Sequence, residues 1–452
     1  MSEPMAFRLS ERAAMAIDDL VAGVSTPYDD LPVPVRSRLP VVLADLLGVT
    51  AAGLRTPELR RLLDAWPQPA GPHPLPGTSL RTTPETAALL GAAAACSQEL
   101  DEGNKHAAGH PAAHVVFAAV AAAQQSPTPV DGRRFLAAVA GGYEVAARFG
   151  RAVRRDPAWH PHGHWGATGA AYAAATLLGA TPAQVAAAVD AATGLMTVAP
   201  WDTVLAGDPT RNLWMGQANL AGLSAAHLAR ADLVTNRGGA AAALALVGSL
   251  DPDLLVADLG VRWLAAEGYL KQHAACSFTH AAIDLVLALR LADGWSGDDV
   301  ASIRVGIHSL AAPLLDRSPS NRLAAMFLLP FAVSTAAVSG AVTPATMEPG
   351  TSAFAAAEAF SPRVDVALLP ELDAHLPARR VCEVEVVLAD GSRAALAQPD
   401  PIGDTAHFPL DDDALVAKLD DLAVPGADLL AAVRRLPEAD DVVAALAGLP
   451  FD

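Results

Sequence analysis

The stretch that decides the fold is residues 85–124, which read ETAALLGAAAACSQELDEGNKHAAGHPAAHVVFAAVAAAQ. Two alanine-rich runs lie on either side of an acidic, glycine-containing loop that ends at His110 and Pro111. Alanine has the highest helix propensity, and proline is favoured in the first turn of a helix. The stretch therefore predicts two helices, 85–100 and 111–124, joined by a polar loop. Their small side chains allow close helix packing.

The same helical pattern recurs along most of the chain, and turns rich in glycine and proline separate its segments. Further helices are predicted at residues 133–149, 166–178, 182–194, 215–230 and 279–291. Residues 411–449, near the end of the chain, also have the apolar spacing of amphipathic helices. The sequence therefore predicts a mainly α protein.

The pattern changes after about residue 295. Residues 300–308 and 381–388 alternate apolar and polar side chains as strands do. The dipeptide Asp390-Gly391 predicts a hairpin turn before a further strand at 393–397. A small α+β unit is therefore predicted near residues 270–400.

Composition excludes several classes of protein. The 452 residues carry a formal net charge of −18, and an acidic surface disfavours nucleic-acid binding. Three cysteines, Cys96, Cys276 and Cys382, cannot form a disulfide framework. Residues 323–342 are apolar but contain Pro330, so they are interpreted as a buried core helix rather than a membrane span. The N-terminal residues lack the apolar core of a signal peptide, and we expect a soluble, cytoplasmic protein that binds no membrane.

Charged side chains and histidines gather where loops run into alanine-rich helices. Four such junctions lie at residues 100–111, 159–166, 210–216 and 271–280. His110 immediately precedes the first turn of its helix, where free backbone N–H groups and the positive end of the helix dipole bind carboxylates or phosphates. Lys105, Arg211 and Lys271 have the charge to bind an anion, while Asp101 and the histidines have the chemistry of acids and bases. The pattern predicts an enzyme that acts on a small anionic molecule.

Other interpretations of these residues remain open. His114 lies one turn into its helix and is expected to be a packing residue. The imidazoles of His160, His162 and His164 have the chemistry of metal ligands, so a metal-dependent hydrolase or isomerase is one alternative. Pro161 makes this segment a loop, however, and we expect it to hold no metal. A catalytically inactive binding protein of the same fold is a second alternative.

Taken in order, the junctions resemble the MmgE/PrpD family, which includes 2-methylcitrate dehydratase, cis-aconitate decarboxylase and iminodisuccinate epimerase. The resemblance spans nearly the whole chain, and its specificity comes from the order and spacing of motifs that are individually weak. The matching motifs are Tyr28-Asp-Asp-Leu-Pro32, Leu43-Ala-Asp-Leu-Leu-Gly48, Glu99-Leu-Asp-Glu-Gly-Asn104 with His110-Pro111, Gly141-Gly-Tyr-Glu144, His160-Pro-His-Gly-His-Trp-Gly166, Arg211–Gly216, Lys271 with Cys276 and His280, and Phe327-Leu-Leu-Pro-Phe331.

The resemblance implies a large all-α domain, residues 1–268 completed by 404–452, and a smaller α+β lid domain, residues 269–403. It also implies a homodimer that needs no metal or organic cofactor. The implied substrate is a di- or tricarboxylate, which reacts by proton transfer next to a carboxylate.

The resemblance also assigns the site. The four residues expected to be catalytic are Asp101, His110, His160 and Lys271. Of the five residues expected to bind the substrate, the resemblance matches Arg211. The other four, Lys105, His164, His273 and Phe331, are added because they lie at or near the same motifs. In this scheme the two catalytic histidines lie on opposite sides of the substrate as base and acid, and the lid closes near Lys271.

Some positions depart from the family pattern. The loop after Leu100 is one residue shorter before the His-Pro pair, and Lys105 lies where some members carry threonine. Arg211 replaces a lysine and Phe331 a tyrosine of the decarboxylase branch, which argues against cis-aconitate decarboxylase. We therefore expect a cofactor-independent lyase or isomerase, most directly a dehydratase of the 2-methylcitrate type. An epimerase, isomerase or decarboxylase acting on a related carboxylate is the alternative.

Overall fold

The structure is a computed structural model that describes residues 5–316 and 318–451. The first four residues and the last residue of the predicted helical domain lie outside the described part, as does Arg317 of the predicted lid. The chain is 56% helical and 11% strand. The prediction of a mainly α protein with a smaller sheet-containing C-terminal part is therefore confirmed.

The described helices follow the alanine-rich segments of the sequence. In chain order they are α1 (Met5–Val24), α2 (Val33–Leu54), α3 (Pro57–Ala65), α4 (Pro84–Ala95), α5 (Pro111–Gln125), α6 (Gly132–Ala152), α7 (Gly166–Leu177), α8 (Pro182–Ala192), α9 (Trp201–Leu205), α10 (Thr210–Arg230), α11 (Gly239–Leu244), α12 (Pro252–Val256), α13 (His280–Asp293), α14 (Arg322–Ala325), α15 (Leu329–Ser339), α16 (Ser352–Phe360), α17 (Asp412–Asp421), α18 (Gly426–Arg434) and α19 (Val442–Ala447). The side chains of Thr83, Asp131 and Thr181 each accept a backbone N–H of the following first turn, which fixes the starts of α4, α6 and α8.

The described strands are short, except in one sheet. They are β1 (Ala70–Pro74), β2 (Arg81–Thr82), β3 (Gly103–Asn104), β4 (Val153–Arg155), β5 (Gly248–Leu250), β6 (Gly268–Tyr269), β7 (Val300–Ile307), β8 (Val364–Leu368), β9 (Cys382–Leu388) and β10 (Arg393–Gln398). The strands β1 and β2 pair with each other, as do β3 with β6 and β4 with β5.

Three features of the predicted helices are wrong. Helix α10 begins at Thr210 rather than at residue 215, so most of the junction predicted at 210–216 is helical. Helix α4 ends at Ala95 rather than at residue 100, because the chain turns and Glu99 adopts a left-handed backbone with φ of 54°. The apolar segment 323–342 forms two helices, α14 and α15, instead of one. Pro330 lies in the first turn of α15, where its missing N–H costs nothing, and this position favours a new helix start.

Helix α7 is the centre of the helical body and packs against α5, α6 and α10. Small residues make this possible, because a side chain at Gly169 would place its Cβ 2.3 Å from the carbonyl oxygen of Gly142 on α6. On the other side, a Cβ at Gly222 of α10 would lie 2.3 Å from the Cβ of Ala170. The alanine and glycine content thus sets how closely the helices that carry the polar loops approach each other.

The C-terminal part of the chain builds a four-stranded sheet in the order β10-β9-β7-β8. Strands β7 and β8 are parallel, and the other two pairings are antiparallel. Alternate residues such as Ile303, Val305, Val384 and Val386 are buried against α13 and α15, which contact the sheet. We call residues 269–403 the sheet unit, and the rest of the described chain the helical body.

The last helices return to the helical body, where α17 and α18 contact α2, and α19 contacts α5. A second apolar core joins the two parts, since Leu100, Trp201 and Trp214 of the body belong to the same buried cluster as the sheet unit. Helix α2 is the one described helix that is long and apolar enough to cross a membrane, and 83% of its most apolar window is buried. This burial is typical of a core helix in a soluble protein.

The close contact between α6 and α7 yields a stability prediction. Replacing Gly169 with alanine should lower the free energy of unfolding by about 1–3 kcal/mol, because the new methyl group overlaps backbone that can only yield by moving a helix. Gly194→Ala is the matched control, because nothing lies within 4 Å of the added Cβ. Urea unfolding of the two variants measures the difference, and equal stabilities would contradict the packing described.

Candidate active site

Three loops and the first turn of α10 meet in a buried cluster at the boundary between the helical body and the sheet unit. The Nζ atom of Lys271 lies 3.5 Å from Oδ1 of Asp101, and Nδ1 of His110 lies 3.4 Å from Oδ2 of the same carboxylate. The ring of His162 lies between those of His110 and His160 and contacts both. Its centroid is 4.9 Å from that of His110 and 4.2 Å from that of His160. The structure therefore brings together the four residues that were predicted to be catalytic.

Glu99 is the central residue of this cluster, and the sequence-based site did not include it. One oxygen of its carboxylate accepts a hydrogen bond from Nη2 of Arg211, and the other accepts one from Nζ of Lys271 at 2.9 Å. All three side chains are almost completely buried. The left-handed backbone at Glu99 turns its side chain away from the path that a continued α4 would give it. Its place at the start of the motif Glu99-Leu-Asp-Glu-Gly-Asn104, two residues before Asp101, was the available sequence signal.

The two cations keep their charge in this setting. Burial alone would lower the pKa of Lys271, but the carboxylates of Glu99 and Asp101 outweigh it and raise that pKa above its ordinary value. For Arg211, too, burial acts to lower the pKa, and Glu99 more than offsets it. The guanidinium also donates to the carbonyl oxygen of Cys96 at 2.6 Å and lies over the ring of Phe327. Both residues therefore remain positive.

The hydrogen-bond network assigns a tautomer to His110. Its Nδ1 lies 2.6 Å from the carbonyl oxygen of Glu102, which can only accept, so Nδ1 carries the proton. Asp101 lies beside the same nitrogen. Burial, together with the positive charge of Lys271, holds the pKa of His110 well below its usual range. The ring is therefore neutral, and its Nε2 carries a free lone pair, as a general base requires.

His160 has the opposite tautomer. Its Nδ1 accepts a backbone N–H from His162 at 3.3 Å, so the proton is on Nε2. Burial and the nearby charge of Arg211 hold its pKa well below the usual range, so this ring is neutral too. The ring packs edge-on against Trp201 at 4.5 Å. His160 is therefore a fixed N–H donor, in contrast to the acceptor His110.

The charge of the cluster differs from the expectation. The sequence predicted a positively charged site, in which Arg211 and Lys271 bind an anionic ligand. In the structure Glu99 and Asp101 balance these two cations, and the histidines are neutral. The reason is physical: a buried cation without a counter-ion costs several kcal/mol, so the protein supplies its own carboxylate.

Nδ1 of His162 and both oxygens of Asp101 are buried without a hydrogen-bond partner.

Four residues predicted to bind the substrate lie outside this cluster. The ammonium of Lys105 pairs with Asp400 and Asp404, because the loop turns it away from the cluster. The remaining three make local contacts. Nε2 of His164 donates to the carbonyl oxygen of His160 at 2.8 Å, a ring nitrogen of His273 lies 2.8 Å from the carboxylate of Asp284, and Phe331 packs on Phe354 within the sheet unit. Arg211 alone of the five predicted substrate-binding residues belongs to the cluster.

The metal-dependent alternative gains no support from the histidine run. The Nδ1 atom of His160 is used by the backbone of its own loop, as is Nε2 of His164. In the described residues one group of three side chains has ligand atoms within 4.8 Å of one another, namely Asp400, Asp404 and His407. The ammonium of Lys105 already lies against both of those carboxylates.

Sequence comparison agrees with the geometry. Residues 20–238 match the model of the MmgE/PrpD N-terminal domain, and residues 273–437 match that of the MmgE/PrpD C-terminal domain. The chain belongs to the MmgE/PrpD family. No curated protein matches the chain. The junctions that suggested the family are those that supply the residues of the buried cluster described above.

The buried histidines predict how stability depends on pH. Five of them, in the two loops and at the start of α5, are His110, His114, His160, His162 and His164. Burial lowers the pKa of each, to about 4 for His114 and about 3 for His164. Below pH of about 6.5 the unfolded chain binds protons that the folded chain does not. The free energy of unfolding should therefore fall as the pH drops from about 6.5 to about 4, by up to about 1.4 kcal/mol per pH unit for each histidine.

Glu102 supplies an internal control for this prediction. Burial raises its pKa to about 7, so the folded state holds a proton that the unfolded state lacks, and its contribution has the opposite sign. Urea unfolding at pH 7, 6 and 5 measures the slope. Glu102→Gln should make the loss steeper, whereas the exposed Glu11→Gln should leave it unchanged. Stability that stays level or rises on acidification would show that these histidines are not held neutral.

Proposed function

We propose that this protein is a cofactor-independent lyase that removes water from a hydroxylated di- or tricarboxylate, as a dehydratase of the 2-methylcitrate type does. Membership of the MmgE/PrpD family indicates an enzyme of the dehydratase or lyase type. The observation that supports the finer proposal is the pairing of a neutral acceptor, His110, with two buried cations that share a single carboxylate, Glu99.

The first step is the binding of a substrate carboxylate. Arg211 and Lys271 already hold one carboxylate, that of Glu99, through charge-assisted hydrogen bonds. A substrate carboxylate offers the same two oxygens, so it takes the place of Glu99 on one or both cations. Removal of a proton from the neighbouring carbon spreads negative charge onto this carboxylate, where the two cations stabilise it.

The second step is proton transfer. Nε2 of His110 takes the proton from the carbon, while its Nδ1–H remains bonded to the carbonyl of Glu102. The carboxylate of Asp101, 3.4 Å from that nitrogen, stabilises the imidazolium that forms. His160 presents its Nε2–H to the departing hydroxyl group. His160 only donates a hydrogen bond to this group; the hydroxyl takes up the proton that His110 holds and leaves as water. Both rings are then neutral again, and a carbon–carbon double bond remains.

A cleft lies next to the chain segments that carry Glu99 and Lys271. It has a volume of about 1180 Å³ and lies between the helical body, the sheet unit and α17. Gln98 and Leu100 line it on one side, and Gln272 and His273 on the other. Gln98 and Leu100 are the chain neighbours of Glu99, and Gln272 follows Lys271. The backbone of these two segments therefore forms a layer between the cleft and the buried charges. A movement of Glu99 out of the cluster would open this layer.

The reaction class can be read by NMR in heavy water. A panel of citrate-like, succinate-like and amino-dicarboxylate compounds is incubated with the enzyme. The proposal predicts loss of water from one citrate-like compound, with a new vinylic or alkylidene signal and deuterium at the α-carbon in the reverse direction. Deuterium uptake with inversion and no water loss would point to an epimerase instead, and carbon dioxide release to a decarboxylase. No reaction with any compound would remove the proposal.

His110 is the residue whose role can be tested by one substitution. His110→Asn should lower kcat by about 10²–10⁴-fold, because the base is lost, while KM changes little. His227→Gln on α10 is the control and should retain the parent kcat, since His227 lies at the surface, where its Nε2 is 2.9 Å from Oε1 of Gln125. Steady-state kinetics on the active compound measure both. A kcat for His110→Asn within about threefold of the parent would remove His110 from the mechanism.

A further inference from the structure

Lys105 lies in the loop between Asp101 and His110, and its ammonium is the centre of a second buried charge cluster. Its Nζ atom is 3.2 Å from Oδ2 of Asp400 and 3.0 Å from Oδ2 of Asp404. The side chains of these three residues are 3%, 0% and 1% exposed. Two buried carboxylates that face one ammonium hold it strongly, because each would otherwise be an uncompensated buried charge.

The two aspartates are themselves held in place. Asp400 accepts the backbone N–H of Arg380 at 3.0 Å through one oxygen, and its other oxygen lies 2.7 Å from Nδ1 of His407. Asp404 accepts the backbone N–H of Ala406 at 2.9 Å. Both aspartates lie on the segment that leaves β10 of the sheet unit and leads back to the C-terminal helices. Lys105 therefore ties its own loop, residues 101–110, which we call the catalytic loop, to the point at which the chain re-enters the helical body.

The same return segment is bonded to the chain next to Lys271. The N–H of Leu270 donates to the carbonyl of Gly403 at 3.1 Å, and the N–H of Thr405 donates to that of Gly268 at 3.2 Å. Gly403 has φ of 100°, and a Cβ there would lie 2.0 Å from the carbonyl oxygen of Leu270. Only glycine permits this approach.

The catalytic loop completes the arrangement, since β3 pairs with β6 through Gly103 and Tyr269. Three segments, 103–109, 268–271 and 400–407, thus meet at one place, which we call the crossing joint. Both chain connections between the helical body and the sheet unit pass through it.

We propose that Lys105 is a positioning residue, which locks the crossing joint and thereby sets the loop of His110 against Lys271. Lys105 is not a substrate contact in this scheme. Its salt bridges hold the catalytic loop to the two chain segments that connect the helical body with the sheet unit. A displacement of the sheet unit therefore also moves this loop. The catalytic consequence rests on the proposed function, whereas the mechanical coupling does not.

Hydrogen exchange read by mass spectrometry tests the coupling without a substrate. In Lys105→Met/Asp404→Asn one positive and one negative charge are removed together, so that the net charge of the joint is kept. The proposal predicts that the amides of 103–109 and 268–271 exchange at least tenfold faster than in the parent. Lys105→Arg, which can reach both carboxylates, should retain the parent protection.

Two further variants guard against general destabilisation. Asp190→Asn removes a different buried carboxylate, which accepts backbone N–H groups at the start of α11, far along the chain from the joint. At an equal loss of thermal stability it should leave 103–109 and 268–271 protected. If the double variant fails to fold, Asp404→Asn alone should raise exchange in both segments at least threefold. Faster exchange confined to 400–407, or equal to that of Asp190→Asn, would overturn the proposal.

Kinetics separate positioning from folding. On a compound that the parent converts, Lys105→Met/Asp404→Asn should lower kcat per folded molecule at least tenfold, while KM stays within threefold of the parent value. Lys105→Arg should retain the parent kcat. An unchanged kcat would mean that the joint does not position the site. If the parent protein converts no compound, the proposed function is refuted. The hydrogen-exchange result still decides whether Lys105 couples the three segments.

Discussion

The carboxylate of Glu99, held between the guanidinium of Arg211 and the ammonium of Lys271, is the interaction on which the rest of the structure depends. The three residues come from three different parts of the chain, and none could be buried alone with its charge intact. Asp101, 3.5 Å from Lys271, supplies the second negative charge, and the balanced cluster allows segments of the helical body and the sheet unit to meet in a buried interior. The same interaction supplies the chemistry, because cations that hold one carboxylate can hold another.

The helical scaffold makes this meeting possible. Alanine and glycine on α5, α6, α7 and α10 let the helices approach closely, so the loops at their starts lie within reach of each other. Fixed backbone partners then set the tautomers of His110 and His160, and burial keeps both rings neutral. An acceptor and a donor are therefore in place without any change of protonation between them. The crossing joint connects this arrangement to the chain segments that link the two parts of the protein.

Much of the fold could be predicted from the sequence, because alanine-rich periodicity and strand alternation are local signals. Helix α5 and the strands β7, β9 and β10 lie within a residue or two of their predicted bounds. The break between α14 and α15 was missed, since an apolar run of that length is typical of a single helix. The site was predicted less well. The meeting of Asp101, His110, His160, Arg211 and Lys271 followed from motif order, but side-chain direction in a loop leaves no trace in composition. Glu99 and Lys105 show this: the first points into the cluster and the second away from it, and only tertiary contacts decide which.

The most direct measurement of the central claim is the structure of the protein bound to the carboxylate compound that it converts. We predict that a carboxylate of this compound lies within hydrogen-bond distance of both Arg211 and Lys271, that Glu99 has left at least one of them, and that the carbon to be deprotonated faces Nε2 of His110. A complex in which Glu99 keeps both contacts while the compound is bound elsewhere would contradict the account.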